Sequence, residues 1–369
     1  MPCKVVSLSP MLDEKQFISS PFSACEGHAI WSSPSNIALV KYWGKYGNQL
    51  PQNPSLSFTL TKCCTTTSIR YTPIKDSVSN HSFSFLFEGK TQTDFHPKIT
   101  SFFERIAPFC PYISSYHLEI ESSNSFPHSS GIASSASSMS ALALAVLSIE
   151  RQANPQMTEA YFYQKASFLA RLGSGSAARS ISGPIMSWGE TTAIAGSSQL
   201  FGLQMTHNIH PIFKDYQDTI LIIDKGQKKV SSTLGHDLMT NHPYATQRFS
   251  QAHENITRLL AILSSGHLSD FIALVESEAL TLHALMMASD PYFVLMQPQT
   301  LSVLNKVWEF RASTGLPLCF TLDAGANVHL LYPKENSKKI KQFIQNELKV
   351  YCQNGQYIED QIGTGSKKL

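Results

Sequence analysis

Residues 127–136 read PHSSGIASSA, and residues 137–149 continue as SSMSALALAVLSI without a single charged side chain. A run of small, hydroxyl-bearing residues around one glycine therefore leads directly into an apolar segment. Apolar side chains recur at spacings of three and four from Met139 to Ile149, which predicts a buried helix over 134–150. The loop before this helix allows three interpretations: a flexible linker, a glycine turn ahead of a tightly packed helix, or an anion-binding loop.

Anion binding has a clear physical basis in such a stretch. Glycine lets backbone amides approach a ligand closely, and a helix N-terminus presents unpaired N–H groups with partial positive charge. The Gly-Lys-Ser/Thr ending of P-loop enzymes and the dinucleotide-binding fingerprint are both absent. On composition alone the packing turn explains the loop at least as well as a phosphate site, so both interpretations stay open.

Length and composition describe an ordinary globular protein. The chain has 369 residues, of which 42% are hydrophobic and 15% charged, with a net charge of +2. This length suits two domains, and the charge balance argues against a nucleic-acid partner. No apolar run approaches the ~20 residues that cross a bilayer, and no signal peptide is evident. Seven cysteines without a CxxC pair indicate free thiols in a reducing, cytoplasmic compartment.

The distribution of strand and helix patterns predicts the domain organisation. Residues 1–28 carry no clear period and are interpreted as an N-terminal extension. Residues 29–205 combine β-branched strands with helices, and residues 206–369 open with a strand at 218–224. Because strands and helices alternate irregularly, we expect two α+β domains rather than a doubly wound parallel sheet.

Individual elements of the second half are also predicted. Amphipathic helices are expected at roughly 242–264, 267–288 and 299–314. The stretch LCFTLDAGANVHLLYP, residues 318–333, consists of two apolar runs joined by a turn and predicts a hairpin. In the first half, the pair Glu88-Gly89 predicts a hairpin turn.

A second cluster of candidate residues is SPSNIALVKYWGK, residues 33–45. It combines two ammonium groups, Lys41 and Lys45, with the phenol of Tyr42 and the amide of Asn36 at one strand end. Lysines at a strand end are usually solvated, and nearby aromatic residues usually belong to the core. The mixture nevertheless suits a polyanionic ligand.

Two more clusters add a cation and a carboxylate. In ARLGSGSAARSISG, residues 170–183, a Gly-Ser turn supplies hydroxyls and Arg179 supplies a planar fork that matches carboxylate or phosphate. A capping loop with a surface arginine is the alternative. Asp323 in TLDAGAN could be a simple turn residue. Together with the other clusters, these residues suggest phosphoryl transfer to a small acidic substrate.

In this order, the four stretches resemble diphosphomevalonate decarboxylases of the GHMP kinase superfamily. PHSSGIASSA matches the phosphate loop of the superfamily, while NIALVKYWGK, GSGSAARS and TLDAGAN resemble the decarboxylase branch. Weaker matches are LPQNPSLSFTL (50–60), KVSSTLGH (229–236) and the tail QIGTGSKK. The resemblance extends from about residue 29 to the C-terminus.

The resemblance implies a fold, a reaction and its requirements. The fold would be a ribosomal S5 domain 2-like N-terminal domain packed on a ferredoxin-like C-terminal domain, with the active site between them. The reaction would convert mevalonate 5-diphosphate and ATP to isopentenyl diphosphate, ADP, phosphate and carbon dioxide. Mg²⁺ would accompany ATP, and the protein would form a homodimer without nucleic-acid or membrane partners.

The resemblance also assigns catalytic residues. Asp323 would face the C3 hydroxyl of the substrate and accept or orient its proton. Lys41 would stabilise charge near that oxygen, and Arg179 would bind the C1 carboxylate. Ser134 would help hold the transferring phosphate and its Mg²⁺.

Binding residues follow in the same way. The resemblance assigns the substrate to Tyr42, Lys45, Ser174, Ser176, Arg179 and Ser232. It assigns the nucleotide to Ser122, Asn124, Pro127, Ser130, Gly131, Ala133, Ser134 and Ser135.

Related activities form the alternatives. A phosphomevalonate decarboxylase, or a mevalonate-type kinase that does not decarboxylate, would share most of these motifs. A non-catalytic ligand-binding relative would need a damaged set of reactive groups. The presence of both Lys41 and Asp323 favours the full decarboxylase, whereas the choice between a mono- and a diphosphate substrate cannot be made from the sequence.

Overall fold

The computed structural model describes residues 13–74, 81–127, 132–206, 208–226 and 232–369, without the side chains of 232 and 233. Within these residues the chain forms an eight-stranded sheet, a four-stranded sheet and a two-stranded ribbon, with helices packed on the two larger sheets. The predicted α+β class is confirmed.

The first half of the chain builds most of the larger sheet. Its described elements are β1 (Gly27–Val40), β2 (Lys45–Tyr46), β3 (Leu50–Pro51), β4 (Ser55–Pro73), β5 (Ser82–Phe87), β6 (Lys90–Thr91), α1 (His96–Ile106), β7 (Tyr116–Asn124), α2 (Ser134–Ala153), α3 (Glu159–Gly173), β8 (Ile185–Trp188) and β9 (Leu203–Gln204).

The second half builds the smaller sheet and the helices around it. Its described elements are β10 (Gln217–Leu221), α4 (Ser232–Asp237), α5 (Ala245–Ser265), α6 (Leu268–Met287), α7 (Pro298–Thr314), β11 (Cys319–Thr321), β12 (Val328–Tyr332), α8 (Ser337–Phe343), β13 (Tyr357–Gln361) and β14 (Lys367–Lys368).

The larger sheet has the order β14-β1-β4-β7-β5-β6, and β8 and β9 extend it from β4. All of its pairs are antiparallel except β5 with β7. The predicted turn at Glu88-Gly89 joins β5 to β6, and both residues have positive φ (52° and 73°), as a two-residue hairpin requires.

Strands β1 and β4 change their burial pattern halfway along. In the C-terminal part of β4, after Leu60, buried and more exposed residues alternate. The N-terminal part, Ser55–Leu60, is buried on both faces. The same holds for β1 from Ser33 to Val40. Helix α5 contacts both strands and α6 contacts β1, and residues of both helices share one apolar core with Leu39 and Phe58. The buried strand ends therefore lie where the two halves of the chain meet.

Helix α2 confirms the buried helix predicted over 134–150. Fifteen of its residues are buried, four of them serines. The hydroxyls of Ser140 and Ser148 donate to carbonyl oxygens one turn earlier in the helix, at 2.8 and 2.9 Å. Serine is therefore tolerated on a helix that packs against α3, β1 and β4.

The smaller sheet has the antiparallel order β11-β12-β10-β13. The predicted hairpin over 318–333 is confirmed as β11 and β12, and α5, α6 and α7 confirm the three predicted helices to within a few residues. The strand predicted over 218–224 is too long, because β10 ends at Leu221. Beyond it, the amides of Ile223 and Asp224 donate to the side chain of Asn327 instead of to another strand.

The last residues of the chain return to the larger sheet, where β14 pairs with β1. Asp360 on β13 accepts hydrogen bonds from the backbone amides of Thr61, Lys62 and Cys63 in β4. These contacts connect the two halves. The predicted domain limits near residues 28 and 205 stay predictions, although β9 ends at 204 and β10 begins at 217.

The described part of the predicted N-terminal extension packs on the first half. Phe17 is completely buried and stacks on Phe168 of α3, with ring centroids 4.4 Å apart. The hydroxyl of Ser19 lies in a buried group with Glu150 and Lys165. A short segment without any period thus contributes to the core.

The six described cysteines are all free thiols, as predicted. Among the described helices, none has the length and apolarity needed to cross a membrane.

Candidate active site

Lys41 and Asp323 come from different halves of the chain and meet as an ion pair. Lys41 directly follows β1, and Asp323 lies in the turn between β11 and β12. Lys41 Nζ and Asp323 Oδ1 are 3.0 Å apart, and the side chains are 2% and 25% exposed. Burial lowers the pKa of the Lys41 ammonium, while the charges of Asp323 and Glu278 oppose that shift.

The main chain of Lys41 is held by a buried charge network. Its N–H donates to Glu278 Oε2 at 2.9 Å, and its carbonyl accepts from Arg248 and Asn53, both at 2.9 Å. Arg248 also forms a salt bridge with Glu278 at 2.7 Å, and both side chains are almost completely buried. Asn255 donates to the other oxygen of Glu278 at 2.6 Å. Helices α5 and α6 therefore fix the backbone that carries Lys41.

Arg179 ends a 3₁₀ turn, Gly175–Arg179, that follows α3. Its guanidinium is 3% exposed and donates to Asn36 on β1 and to the hydroxyl of Ser55. Burial lowers the pKa of Arg179 to about 10, against the opposing effect of Asp323. Arg179 is therefore a buried cation near the Lys41–Asp323 pair.

A cavity of about 560 Å³ joins these groups. Eleven of the residues predicted for the site line it: Lys41, Tyr42, Lys45, Ser122, Ala133, Ser134, Ser135, Ser174, Ser176, Arg179 and Asp323. The structure thus brings together residues from β1, β7, α2, the 3₁₀ turn and the β11–β12 turn. Linear spacing alone could not have shown this convergence.

Helix α2 begins at the cavity wall. Ser134 is its first residue and 8% exposed, and Ala133 before it has a left-handed conformation with φ 44°. The hydroxyl oxygens of Ser135 and Ser174, two residues that line the cavity, lie 3.2 Å apart. The unpaired amides at the start of a helix favour a bound anion. The anion-binding interpretation of the opening loop is therefore compatible with the position of the helix.

A group of aromatic and apolar side chains lines another part of the cavity. They come from β5, the 3₁₀ turn Thr93–Phe95, α1, β7 and α2. They are Phe85, Phe87, Phe95, Ile99, Ile120, Met139 and Leu142, with Lys98 and Thr67 beside them. Such a lining suits a flat heteroaromatic group.

The remaining predicted residues do not all reach this lining. Among the described residues that line the cavity, neither Asn124 nor Pro127 occurs. Asn124 instead accepts a hydrogen bond from Thr65 at 2.7 Å. Ser130 and Gly131, and the side chain of Ser232, lie outside the described residues, so their roles stay predictions.

Sequence reasoning missed one residue of the charged part. His236 on α4 lines the cavity and is 9% exposed. Its ring lies 4.2 Å from the ring of Tyr42 and 4.7 Å from that of Trp43, measured between centroids. It stands at the end of KVSSTLGH, so the motif was found, but no pattern in the sequence shows the contact with the two aromatic rings.

Tyr42 is enclosed on several sides. Its ring is 4.7 Å from Trp188, and burial raises the pKa of its hydroxyl. Among the described residues, the buried Tyr42 hydroxyl has no hydrogen-bond partner. A buried phenol without a partner on a cavity wall is suited to donate to a ligand.

In the described part of the chain, the side chains that could ligate a metal ion are dispersed. Within the described residues, no three His, Cys, Asp or Glu side chains form a metal-binding group. Mg²⁺ commonly takes most of its ligands from substrate phosphates and water.

Comparisons with known proteins match both halves of the chain. Residues 33–199 match the diphosphomevalonate decarboxylase-like N-terminal domain family, and residues 219–367 match the mevalonate 5-diphosphate decarboxylase C-terminal domain family. The diphosphomevalonate decarboxylase of Ganoderma lucidum is 29% identical over 332 residues, covering 85% of this chain and 80% of that protein. The phosphomevalonate decarboxylase of Haloferax volcanii is 26% identical over 310 residues, covering 83% and 88%.

Solved structures agree with these matches. Mevalonate diphosphate decarboxylase from Staphylococcus aureus has a TM-score of 0.80 and 28% identity, covering 94% of this chain and 98% of that one. A structure described as MDDEF in complex with MVAPP, AMPPCP and magnesium has a TM-score of 0.80 and 25% identity, covering 94% and 99%. Matches to the two domain families and to these whole structures lead to one assignment: the chain belongs to the diphosphomevalonate decarboxylase family.

Proposed function

We propose that this protein is an ATP-dependent decarboxylase that converts mevalonate 5-diphosphate to isopentenyl diphosphate, with ADP, phosphate and carbon dioxide as the other products. The observation that carries the proposal is the Lys41–Asp323 pair at 3.0 Å, in one cavity with Arg179 and the start of α2. The family assignment supports the same reaction. The roles given below to single residues are part of the proposal.

The first chemical step is phosphorylation of the tertiary hydroxyl. Asp323 accepts the C3–OH proton as that oxygen forms a bond to the γ-phosphorus of ATP and the bond to ADP breaks. Lys41 stabilises the developing negative charge on the oxygen. A carboxylate 25% exposed at a cavity wall can reach a bound substrate, whereas the buried Lys41 ammonium keeps it oriented.

The second step is elimination. The C3–O bond breaks and phosphate leaves with the electron pair, so C3 gains positive character. The C1–C2 bond then breaks, carbon dioxide leaves, and its bonding electrons form the C2=C3 double bond. Arg179 holds the C1 carboxylate for this step, since its guanidinium is buried and already oriented by Asn36 and Ser55.

Nucleotide and substrate would occupy different parts of the cavity. The aromatic lining that contains Phe85 and Phe95 suits the adenine base, and the start of α2 suits the phosphates. Mg²⁺ bound to the phosphates would neutralise charge during transfer, and Ser134 would lie next to it. Tyr42, Lys45, Ser174 and Ser176 would bind the phosphate end of the substrate. A homodimer is proposed from the family resemblance, and a cytoplasmic location from the unpaired cysteines of the sequence.

A second candidate substrate is mevalonate 5-phosphate. The phosphomevalonate decarboxylase of Haloferax volcanii is 26% identical to this chain, close to the 29% of the diphosphomevalonate decarboxylase of Ganoderma lucidum. The two substrates differ by one phosphate group. The side chains of Lys45 and Tyr42, which line the cavity, could bind the phosphate end of either substrate.

A steady-state assay with the two substrates side by side, with ADP and carbon dioxide both measured, tests the proposal. We expect equal amounts of ADP and carbon dioxide and a higher kcat/KM for the diphosphate. A preference for the monophosphate would favour the second candidate. ADP formation without carbon dioxide would contradict both and indicate a kinase.

A further inference from the structure

His236 is held in a defined orientation. Its Nδ1 atom lies 3.0 Å from the backbone nitrogen of Gly44. A backbone N–H can only donate, so Nδ1 accepts and the neutral ring carries its proton on Nε2. The packing of the ring against Tyr42 and Trp43 leaves it little freedom to turn.

The surroundings keep this imidazole neutral. Burial, Lys45 and Arg179 together lower the pKa of His236 to about 3. A further charged group, on the neighbouring residue, is Asp237, which is 56% exposed and lies 3.7 Å from Lys45. Protonation would therefore add a third cation to a buried site that already has two. Near neutral pH the ring offers one directed N–H without changing the charge of the site.

The hydrogen bond to Gly44 also has a positional effect. Gly44 has φ 100°, a conformation that favours glycine, and a Cβ there would come within 3.1 Å of Phe249. This turn joins Lys41 and Tyr42 to Lys45. The side of the ring that accepts from Gly44 thus supports the backbone from which the predicted substrate residues extend.

We infer that His236 is a further substrate-binding residue, which donates through Nε2–H to the phosphate end of the bound substrate while Nδ1 supports the Gly44 turn. The inference rests on the proposed function for the identity of the substrate. The neutral N–H of His236 thus contributes to binding of the substrate phosphates, for which Tyr42, Lys45 and nearby serines are also predicted. The chemical class recognised is a phosphate or diphosphate ester.

Two substitutions of His236 test the roles of its Nδ1 and Nε2 atoms separately. In His236→Gln the amide nitrogen can take the place of Nε2, so the donor toward the substrate is retained. In His236→Asn the amide oxygen can take the place of Nδ1, so the Gly44 contact is retained and the donor is lost. We expect KM for mevalonate 5-diphosphate to stay within about 3-fold for the Gln variant. For the Asn variant, KM should rise roughly 10- to 100-fold, as expected for a lost hydrogen bond to a charged group.

Other readouts distinguish binding from a structural role. The effect should fall on KM for the phosphate substrate more than on kcat or on KM for ATP. The ratio of kcat/KM between wild type and His236→Gln should be constant from pH 6 to 9, because neither donor changes its charge there. A ratio that breaks near pH 6.5 would overturn the inference, since it would show binding by a charged imidazole.

Calorimetric titration with inorganic pyrophosphate provides a test that does not depend on turnover. We expect the Asn variant to bind pyrophosphate more weakly than wild type and the Gln variant to bind it about as well. Equal weakening in both variants, a reversed order, or no change in either would each overturn the inference. If wild-type protein decarboxylates neither mevalonate phosphate, the proposed function fails, whereas this titration still decides the role of His236.

Discussion

The opposite charges of Lys41 and Asp323 lie 3.0 Å apart. The Asp323 carboxylate is accessible to water, whereas the Lys41 ammonium is buried. A buried ammonium is costly unless an opposite charge and hydrogen bonds compensate it. Asp323 supplies that compensation, and its backbone carbonyl in turn accepts a hydrogen bond from His283 at 3.1 Å. The carboxylate is therefore oriented before any substrate arrives, which lowers the cost of positioning it in the transition state.

Replacing Asp323 by Asn should remove the proton acceptor while retaining the shape of the turn. We expect kcat to fall roughly 10²- to 10⁴-fold, the usual contribution of a general base, with a much smaller change in KM for ATP. Release of ADP and carbon dioxide should fall together. The surface variant Asp215→Asn is the control, because Asp215 is 47% exposed and forms an ion pair with the exposed Lys334. Nearly normal turnover in Asp323→Asn would rule out the proposed mechanism.

His236 should make the protein sensitive to acid. Its pKa is about 3 in the folded protein and about 6.5 when unfolded. The unfolded chain therefore binds the proton more readily between these values. The stability contributed by the neutral ring is complete above about pH 6.5 and declines as the pH falls toward 3. At pH 5 the loss amounts to about 2 kcal/mol relative to pH 8.

Thermal unfolding of wild type and His236→Gln at pH 8 and pH 5 measures this effect. We expect the variant to gain in Tm relative to wild type by a few degrees at the lower pH. His267→Gln is the matched control, because His267 is 71% exposed and hydrated in both states. Parallel pH profiles for wild type and His236→Gln would show that the ring is not held neutral.

The stretches that predicted a charged site converge in the structure, whereas the residues that support them were not predicted. Lys41, Arg179 and Asp323 stand in stretches whose residue types already suggest charge and phosphate chemistry, and all three line one cavity. His236 and Glu278 were missed because their importance depends on contacts across the two halves. A histidine in a helix and a glutamate in an apolar helix carry no sign of such contacts in the sequence.

Among the elements, α2 is a helix whose apolar period in the sequence matches its packing in the fold. Small residues let it pack closely against α3, β1 and β4, and its serines satisfy their hydroxyls within the helix or against neighbours such as Ala177. Its period was visible in the sequence because a 20-residue helix repeats its pattern several times. The N-terminal segment has no such repetition, and one buried aromatic in a four-residue turn produces no period.

Arg171 connects the N-terminal segment to loops of the first half. Its guanidinium is completely buried in α3 and pairs with Glu14 at 3.0 Å. It also donates to the carbonyls of Leu200, at 2.9 Å, and Asn48. Asn48 lies in the turn between β2 and β3, next to Lys45 and Tyr46. The segment therefore supports loops on the proposed substrate side.

Substitutions in this segment should lower stability. We expect Phe17→Ala to cost about 3 kcal/mol, as a buried aromatic lost from a core does. Glu14→Gln should cost only about 1 kcal/mol, because Glu14 is 40% exposed and solvent screens part of its attraction to Arg171. Thermal unfolding measures both, with the exposed Lys15→Ala as control. A Phe17→Ala protein as stable as wild type would mean that the segment does not dock.

For the whole molecule, the central fact is that Lys41 and Asp323 adjoin strands of different sheets, β1 of the larger and β11 and β12 of the smaller. Their separation depends on how the halves pack, and α5 and α6 determine this through Glu278 and Arg248. The hydrogen bonds from Glu278 and Arg248 go to main-chain atoms of Lys41, and the charge of Glu278 also raises the pKa of the Lys41 ammonium against the effect of burial. Breaking a buried ion pair of this kind costs several kcal/mol, since the remaining charge loses its partner.

Glu278→Gln should therefore reduce both stability and turnover. We expect a loss of about 3 kcal/mol and a fall in kcat of roughly 10- to 100-fold, because a displacement near 1 Å at a reacting group is that costly. Tm and steady-state rates measure the two effects. Replacing both partners, as in Arg248→Met with Glu278→Leu, should restore stability, since no unpaired charge remains. It should not restore kcat, because the donors and acceptors that hold the Lys41 backbone are still missing.

Glu276 provides the matched control on the same helix. Its side chain is 9% exposed, pairs with Arg311 at 2.7 Å and also accepts from Trp308, and both partners belong to the second half. Glu276→Gln should lower Tm while kcat of the folded protein remains near the wild-type value. If both glutamate variants lose kcat in proportion to their loss of stability, Glu278 stabilises the fold without positioning Lys41. A selective loss of kcat in Glu278→Gln is the result expected when packing between the halves determines the geometry of the Lys41–Asp323 pair.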